Sequence, residues 1–339
     1  MKKSMILAAA LLFAVVFAVP VFSAISTPIV RLNLTKTYVI TQEMLDAKVA
    51  EYKQVYENVD SASVLDAMIS DELIAQAMER DGYVLSDDQK NELLAAQKAS
   101  IESQLGTTLT QEQFATVIES NYGVDLDYFK NYLAEQYLVQ NYVMNAKSAM
   151  FSEDKLMPTT SEVESFYKKN KSSFISPENV KLAHIFFPFG DDKAAALKKA
   201  TDVSNQIKNG KITFEKAVTT YSEDKDSIAT GGDIGWLAIS DTDTLAYMGE
   251  NFFDEVFALD AGEISGVIES LAGYHIVKVS VHNEAKILGI DDKTSPTDTT
   301  TVRDYIANYL YQQKANEVYQ EAFVSLVSDL KSQASIKYL

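Results

Sequence analysis

The hydrophobic periodicity of this chain changes twice along its length, and these two changes constrain the fold most strongly. From about residue 41 to residue 150, apolar residues recur at three- and four-residue spacing, as in amphipathic helices. Residues 180–282 instead alternate between short strand-like runs and helical segments. Helical periodicity returns over residues 301–331. The pattern predicts helical regions on both sides of one small α+β domain.

Start and stop signals divide the first helical region into separate helices. Thr41 is a typical N-cap residue, and Ser86 opens a capping-box pattern. Gly106 is typical of a helix end. Residues 27–40 are short and β-branched, which favours a strand or a hairpin. We therefore expect residues 27–170 to form a helical N-terminal domain that begins with a short β-segment.

This domain is rich in Met, Tyr and Leu, and the sequence leaves two interpretations open. These residues can be the ordinary core of a helical domain. They can also line an adaptable apolar groove for extended client chains, because methionine and aromatic side chains repack around varied ligands.

The last helical segment is too long and too apolar on one face to be stable alone in water. A linker rich in Thr, Asp and Pro, residues 291–300, separates it from the α+β segment. We expect residues 301–339 to form a C-terminal helix that packs on the N-terminal domain. The fold class is then α+β, with a mostly helical module and an inserted α+β domain at residues 179–284.

Residues 1–26 have the composition of an export signal. Two lysines are followed by an apolar run over residues 5–22 and then by small residues. Cleavage after Ser23, Ala24 or Ser26 fits this pattern. An uncleaved anchor also fits, because about 18 apolar residues can span a bilayer. Both interpretations place the remaining chain outside the cytoplasm, in the periplasm or cell envelope, with membrane contact only through this segment.

Charge and cysteine content exclude two classes of function. The formal net charge of −18 and the absence of a basic stripe exclude nucleic acid as a partner. The chain has no cysteine, so stability comes from packed cores and thiol chemistry is excluded.

Three motifs in residues 179–282 resemble the parvulin family of peptidyl-prolyl isomerases. VKLAHIFFP begins at Val180, YSEDKDSIATGGDIGW at Tyr221 and FDEVFALDAGEISGVIESLAGYHIVKV at Phe253. Their order and spacing are similar to the family pattern, and the flanking helices resemble the chaperone module of exported foldases of the SurA and PrsA type. The resemblance implies a four-stranded antiparallel sheet flanked by helices and an isomerase without a cofactor.

The resemblance also implies the site residues. His184 and His275 match the paired histidines of the parvulin site, whose rings face each other, and Asp224 matches a position that carries cysteine or aspartate. These three are the expected catalytic residues. The expected substrate-binding residues, which match the proline pocket, are Leu237, Met248 and Phe252.

Rotation about an X-Pro bond breaks no covalent bond, so it requires neither a nucleophile nor a metal. The barrier of about 18–20 kcal/mol reflects lost amide resonance. An apolar slot and polar groups that respond to the twisted amide suffice. No carboxylate lies at metal-ligand spacing from the histidines, so we expect no metal site. The third histidine, His282, lacks this context and is expected at the surface.

Two departures from the family pattern affect the expected pocket. The segment of residues 237–247 is longer than the family pattern, which predicts a reshaped or occluded pocket rim. The loop PFGDDK, residues 188–193, carries two aspartates where phosphate-directed parvulins carry basic residues. Aspartates repel phosphate, so we expect no phosphate requirement.

The leading functional hypothesis is an exported foldase that isomerises X-Pro bonds in unfolded or newly translocated polypeptides. The alternative is a holdase chaperone whose parvulin domain is catalytically silent. A structural protein of the cell envelope is a third interpretation, supported only by the possible anchor. The sequence does not indicate an oligomeric state.

Overall fold

The computed structural model describes residues 26–54 and 56–339. The export signal or anchor predicted for residues 1–26 therefore lies, except for its last residue, outside the described residues. The described chain forms two compact units. The first contains the residues up to Met157 together with Leu310–Leu339, and the second contains Pro158–Tyr309.

The strands and α-helices follow the predicted order of helical, mixed and helical segments. The strands are β1 (Pro28–Asn33), β2 (Thr37–Thr41), β3 (Ile175–Ser176), β4 (Asn179–Pro188), β5 (Asp233–Ala238), β6 (Ile268–Glu269), β7 (Gly273–Asn283), β8 (Lys286–Ile287) and β9 (Ser335–Tyr338). The helices are α1 (Gln42–Tyr52), α2 (Ser61–Arg80), α3 (Asp87–Leu105), α4 (Gln111–Tyr122), α5 (Leu126–Ala146), α6 (Glu153–Leu156), α7 (Thr160–Asn170), α8 (Lys193–Lys208), α9 (Phe214–Tyr221), α10 (Thr242–Met248), α11 (Glu250–Phe257) and α12 (Val302–Gln333).

In the first unit, a three-stranded sheet joins the two ends of the described chain. Its strand order is β2-β1-β9, and β9 pairs antiparallel with β1 from Val30↔Tyr338 to Asn33↔Ser335. The sequence left a strand or a hairpin open for residues 27–40 and assigned residues 301–339 to a helix, so β9 was not predicted. Its four residues, Ser-Ile-Lys-Tyr, alternate polar and apolar side chains, but this run is too short to predict a strand directly after a long helix.

The hydrophobic cluster that connects the two ends of the described chain contains residues of β1, α2, α5 and α12. Val30 of β1, Leu73 of α2, Val143 of α5 and Leu330 of α12 all belong to it, and each is at most 2% exposed. The C-terminal residues of α12 thus contribute to the same core as the N-terminal helices. Two smaller clusters, one around Leu45 and one around Phe114, lie in the same unit. No helix within residues 26–54 and 56–339 is long and apolar enough to cross a bilayer.

The second unit contains the four-stranded antiparallel sheet that the resemblance implied, so the predicted fold class is confirmed. The strand order is β5-β4-β7-β6. Side chains alternate between the two faces, so Ile185 and Ile276 pack beneath α8 and α9 in one core cluster. Leu182 and Val277 lie on the other face, in the cluster that includes residues of α11.

Two features of the second unit differ from the sequence interpretation. Helix α7 belongs to this unit, although the sequence placed residues up to 170 in the N-terminal domain. The long segment of residues 237–247 contains α10, whose N-cap Asp241 accepts a hydrogen bond from the backbone N–H of Thr244. The extra residues are therefore ordered as a short helix.

Candidate active site

Two histidine rings meet at the centre of the four-stranded sheet. His184 lies on β4 and His275 on the neighbouring β7, where His275 pairs with Phe186. Their Nδ1 atoms are 3.2 Å apart and their ring centroids 5.2 Å apart. Both residues are buried, with 6% and 1% of their surface exposed. The structure thus brings together the two rings that the sequence singled out.

The histidine pair is the middle of a longer chain of hydrogen-bonding groups. At one end, Nε2 of His184 is 2.8 Å from Oδ2 of Asp224, and the hydroxyl of Ser227 donates to the same oxygen at 2.5 Å. At the other end, Nε2 of His275 is 2.8 Å from Oγ of Ser270. Sequence reasoning missed both serines, because a serine in a polar loop shows no signal of its own.

Electrostatics fix the direction of the hydrogen bonds in this chain. Partial burial favours a higher pKa for Asp224, but the hydrogen bonds donated by Ser227 and His184 outweigh it and leave its pKa below the usual value. An ionised carboxylate only accepts, so His184 donates from Nε2 and accepts at Nδ1. His275 then donates from Nδ1, and its Nε2 accepts from the hydroxyl of Ser270.

Both imidazoles in this arrangement are neutral. Burial lowers the pKa of His184, although the hydrogen bond to Asp224 partly opposes this. Burial, with a further contribution from the nearby His184, lowers the pKa of His275 to about 3. The site therefore presents one ionised group, Asp224, at the end of a neutral relay.

Two glycines allow the backbone to approach this relay closely. The carbonyl of Gly232 accepts the N–H of His184 at 2.8 Å, and a Cβ on Gly232, at φ +84°, would lie 2.5 Å from the carbonyl oxygen of His184. A Cβ on Gly273 would lie 2.4 Å from the carbonyl oxygen of Phe187. Any side chain at either position would displace the strands that carry the histidines.

The three expected pocket residues lie together beside His275. Leu237, Met248 and Phe252 belong to one core cluster, and the ring of Phe252 meets that of His275 edge-on at 5.0 Å. They are only 5%, 8% and 1% exposed. Leu245 of α10 packs against the same cluster. This conformation therefore offers little apolar surface to a prolyl ring, and binding requires these side chains to separate.

His282 lies outside the relay, and the expectation that it is a surface residue is wrong. Its side chain is 11% exposed, with Nδ1 2.7 Å from the carbonyl oxygen of Leu259 and Nε2 2.8 Å from Oε1 of Glu178. Two acceptors require two donors, so the ring is an imidazolium. The hydrogen bond to Glu178, followed by that to Leu259, raises the pKa of His282.

The histidines make the free energy of unfolding of the second unit depend on pH. It should fall on the acidic side of neutrality because of one pair of histidines and on the alkaline side because of the third. His184 and His275 have folded pKa values below the unfolded value of 6.5, so the unfolded chain binds more protons. The free energy of unfolding should therefore fall as the pH drops from 6.5 towards 3. The contribution of His282 is complete below pH 6.5 and is lost as the pH rises through its raised folded pKa.

We expect a His282→Gln variant to lose the alkaline decline in stability and to keep the acidic one. Urea unfolding followed by the fluorescence of Trp236, the single tryptophan of the chain, measures this across the pH range. Parallel pH profiles for the two proteins would show that His282 is not the group that titrates.

The described side chains form no cluster with the composition of a metal site. Among residues 26–54 and 56–339, no three His, Asp or Glu side chains come together in a way that could hold an ion. The geometry offers a buried polar relay with one anionic end and an adjoining apolar cluster. These groups can bind and polarise an amide, and none is placed to attack it covalently.

Comparison with known proteins identifies the family to which residues 184–281 belong. The family model of the rotamase, a PPIC-type PPIase domain, matches residues 184–281. These residues form a PPIC-type peptidyl-prolyl isomerase domain. The match confirms the parvulin-type resemblance, and we call this region the isomerase domain.

The similarity extends beyond the isomerase domain. Chaperone SurA of Nitrosococcus oceani is 28% identical over 64% of this chain, which corresponds to 47% of SurA. Foldase protein PrsA of Clostridium botulinum is 23% identical over 87% of this chain and 81% of its own length. The chain thus spans about half the length of the SurA relative and most of the PrsA relative. A crystal structure of peptidylprolyl isomerase PrsA from Bacillus anthracis is 20% identical and covers 77% of this chain and 96% of its own, with a TM-score of 0.29.

Proposed function

We propose that this chain is an exported foldase. Its isomerase domain interconverts the cis and trans forms of X-Pro bonds, and its helical unit binds unfolded or newly translocated polypeptides. One observation carries the proposal: the neutral His184–His275 relay, anchored on the ionised Asp224, lies directly beside the aromatic ring of Phe252. The relay supplies polar groups in fixed orientations, and the ring of Phe252 supplies an apolar surface. Together they suit a reaction in which the charge distribution of an amide changes but no bond is broken.

The carboxylate of Asp224 acts on the amide through its charge. In the planar X-Pro amide, resonance places partial negative charge on the carbonyl oxygen, and twisting removes much of it. A fixed anion facing that oxygen destabilises the planar ground state more than the twisted state, which lowers the barrier. Ser227 and His184 hold the carboxylate oxygen in place from two sides.

The roles of the remaining site residues follow from their positions. Leu237, Met248 and Phe252 hold the prolyl ring after they separate to admit it. A water-poor surround favours the twisted amide, which is the less polar form. His184 and His275 keep the hydrogen bonds of the relay in one direction and do not react with the amide themselves. The reaction therefore has no covalent intermediate and needs no cofactor.

The loop beside the site supports the absence of a phosphate requirement. Asp191 and Asp192 occupy this loop, and its lysine, Lys193, already pairs with Glu269 at 2.7 Å and lies over the ring of Phe189 at 4.2 Å. A phosphate group on the client would meet two carboxylates and a cation that is already engaged. Clients are therefore unphosphorylated chains that contain proline.

Export and the possible anchor belong to the same proposal. The lysine pair and apolar run of residues 1–26 support transport to the periplasm or cell envelope. Membrane attachment would occur only if this segment is retained. Similarity to the SurA chaperone and the PrsA foldase is consistent with polypeptide clients.

A holdase with a silent isomerase domain is the second candidate, and one observation favours it. Phe252 is 1% exposed, so the expected pocket is closed in this conformation. A holdase would bind clients through the helical unit and use the second unit as an additional surface.

Refolding of a client whose slow phase is limited by prolyl isomerisation separates the two candidates. The foldase proposal expects that catalytic amounts of the chain accelerate this phase, while a stoichiometric excess also suppresses aggregation. Suppressed aggregation with an unchanged slow phase would establish the holdase instead. In every measurement, refolding starts from client that has been unfolded long enough for its prolines to reach cis–trans equilibrium.

A further inference from the structure

The first unit contains a groove that the isomerase reaction does not use. It lies among β2, α1, α2 and α5 and has a volume of about 660 Å³. Such a volume is within the range of sites that take up small molecules or several side chains. The apolar residues along it include Tyr38, Met44 and Met68.

The walls of this groove suit apolar side chains of varied shape. Met44 and Met68 are partly exposed and face the groove beside the small side chains of Ala47 and Ala75. The thioether chains of methionine adjust to different partners at low cost, and alanine leaves room for them to do so. The groove is therefore adaptable in shape.

Its rim is acidic. Four carboxylates line it, those of Glu51, Asp71, Glu72 and Glu135, against the single ammonium group of Lys48. Two of the carboxylates have partners. Lys48 pairs with Glu51 at 3.1 Å, and the side-chain amide of Gln76 donates to Glu72 at 2.8 Å.

The other two carboxylates are not paired. Within the described part of the chain, neither Asp71 nor Glu135 makes a side-chain hydrogen bond or a direct ion pair. Desolvation by the surrounding groove raises the pKa of Asp71, and Glu135 raises it further, while Lys48 opposes both effects. The residue nonetheless keeps an exposed surface from which a ligand can approach. Two neighbouring carboxylates without a cationic partner repel each other, and a cation that pairs with both of them relieves this repulsion.

We propose that this groove binds an extended segment of a client polypeptide in which a lysine or arginine lies between apolar residues. The cationic side chain pairs with Asp71 and Glu135, and the neighbouring apolar side chains occupy the surface of Met44 and Met68. This inference rests on the chaperone part of the proposed function and is independent of the isomerase site. It gives the client a chemical class, since segments that place acidic side chains between apolar ones are rejected.

Fluorescence anisotropy with labelled, proline-free peptides tests this inference on the full chain. One peptide alternates leucine with lysine, and its matched partner alternates leucine with glutamate. We expect the lysine peptide to bind and the glutamate peptide not to bind. An Asp71→Asn/Glu135→Gln double variant should weaken binding of the lysine peptide at least about tenfold, because both charged partners become neutral.

A matched double variant separates the groove from the general negative charge of the protein. Glu92→Gln/Glu119→Gln removes the same charge from exposed positions of α3 and α4, outside the groove. It should change the affinity by no more than about twofold, since these two carboxylates lie outside the groove and form no direct pair with a peptide bound there, and salt screens their longer-range effect. Equal weakening in the two double variants would overturn the proposal, as would tight binding of the glutamate peptide.

Two further measurements identify the cause of a failure. Sedimentation of each variant shows whether the groove instead binds a second copy of the chain; a change of oligomeric state in the Asp71/Glu135 variant alone would overturn the client assignment. Prolyl isomerisation is measured on the same preparations. If isomerisation is absent while the lysine peptide still binds as expected, the isomerase proposal fails and the groove proposal stands.

Discussion

An Asp224→Asn variant should lose about two orders of magnitude in kcat/KM for X-Pro isomerisation while keeping its fold, a loss comparable to that of one oriented electrostatic group in other active sites. The asparagine oxygen can still accept from Nε2 of His184 and from the hydroxyl of Ser227, so the relay keeps its geometry. Only the negative charge is removed. A protease-coupled or NMR assay on a short unphosphorylated peptide gives kcat/KM.

The control for this variant is the neighbouring carboxylate. Asp226 is exposed and its side chain does not contact the histidines, so Asp226→Asn removes the same charge two residues away. It should leave kcat/KM within about twofold of the wild type, because solvent screens an exposed charge. Similar losses in the two variants would mean that general electrostatics, and not the relay, determine the rate.

Replacing Leu330 by alanine should lower the free energy of unfolding of the first unit by about 2–5 kcal/mol. Leu330 is 2% exposed in the core cluster that contains Val30 and Leu73, so the substitution removes apolar contacts at the centre of this unit. Circular dichroism at 222 nm follows the helices, most of whose signal comes from this unit. Fluorescence of Trp236, in β5 of the second unit, should show an unchanged transition.

Val324 provides the matched comparison on the same helix. It is 67% exposed, so Val324→Ala should change the free energy of unfolding by less than about 0.5 kcal/mol. Truncation after Tyr309 extends the test, because it removes β9 together with the part of α12 that belongs to the first unit. We expect the helices of residues 42–146 to lose their resistance to protease. Unchanged resistance would mean that the N-terminal helices fold without the C-terminal segment.

Local signals in the sequence were sufficient to place most elements. Thr41, Ser86 and Asp125 each accept a hydrogen bond from a backbone N–H in the first turn of the helix that they precede. The motif order likewise placed His184 and His275 on neighbouring strands of one sheet. These features depend on residues that are close in the chain or on a recognisable family pattern.

Features that depend on distant parts of the chain were not predictable. Strand β9 pairs with the edge of β1, and its four alternating residues are too few to predict a strand without this partner. Ser227 and Ser270 were missed for a different reason: they lie only three and five residues from Asp224 and His275, but the conformation of their loops, which the sequence does not indicate, turns the hydroxyls onto these partners. His282 was expected at the surface, because the sequence does not indicate that the carbonyl oxygen of Leu259, 23 residues away, accepts a hydrogen bond from its ring.

We expect an unphosphorylated X-Pro bond to rotate faster when it is bound beside the relay of residues 184, 224 and 275. Two-dimensional exchange NMR on an Ala-Pro peptide, with substoichiometric protein, observes this rotation directly. The wild type and Asp226→Asn should give cis–trans exchange peaks at mixing times where Asp224→Asn and the free peptide give none. A folded wild-type protein that binds the peptide and produces no exchange peaks would contradict this expectation.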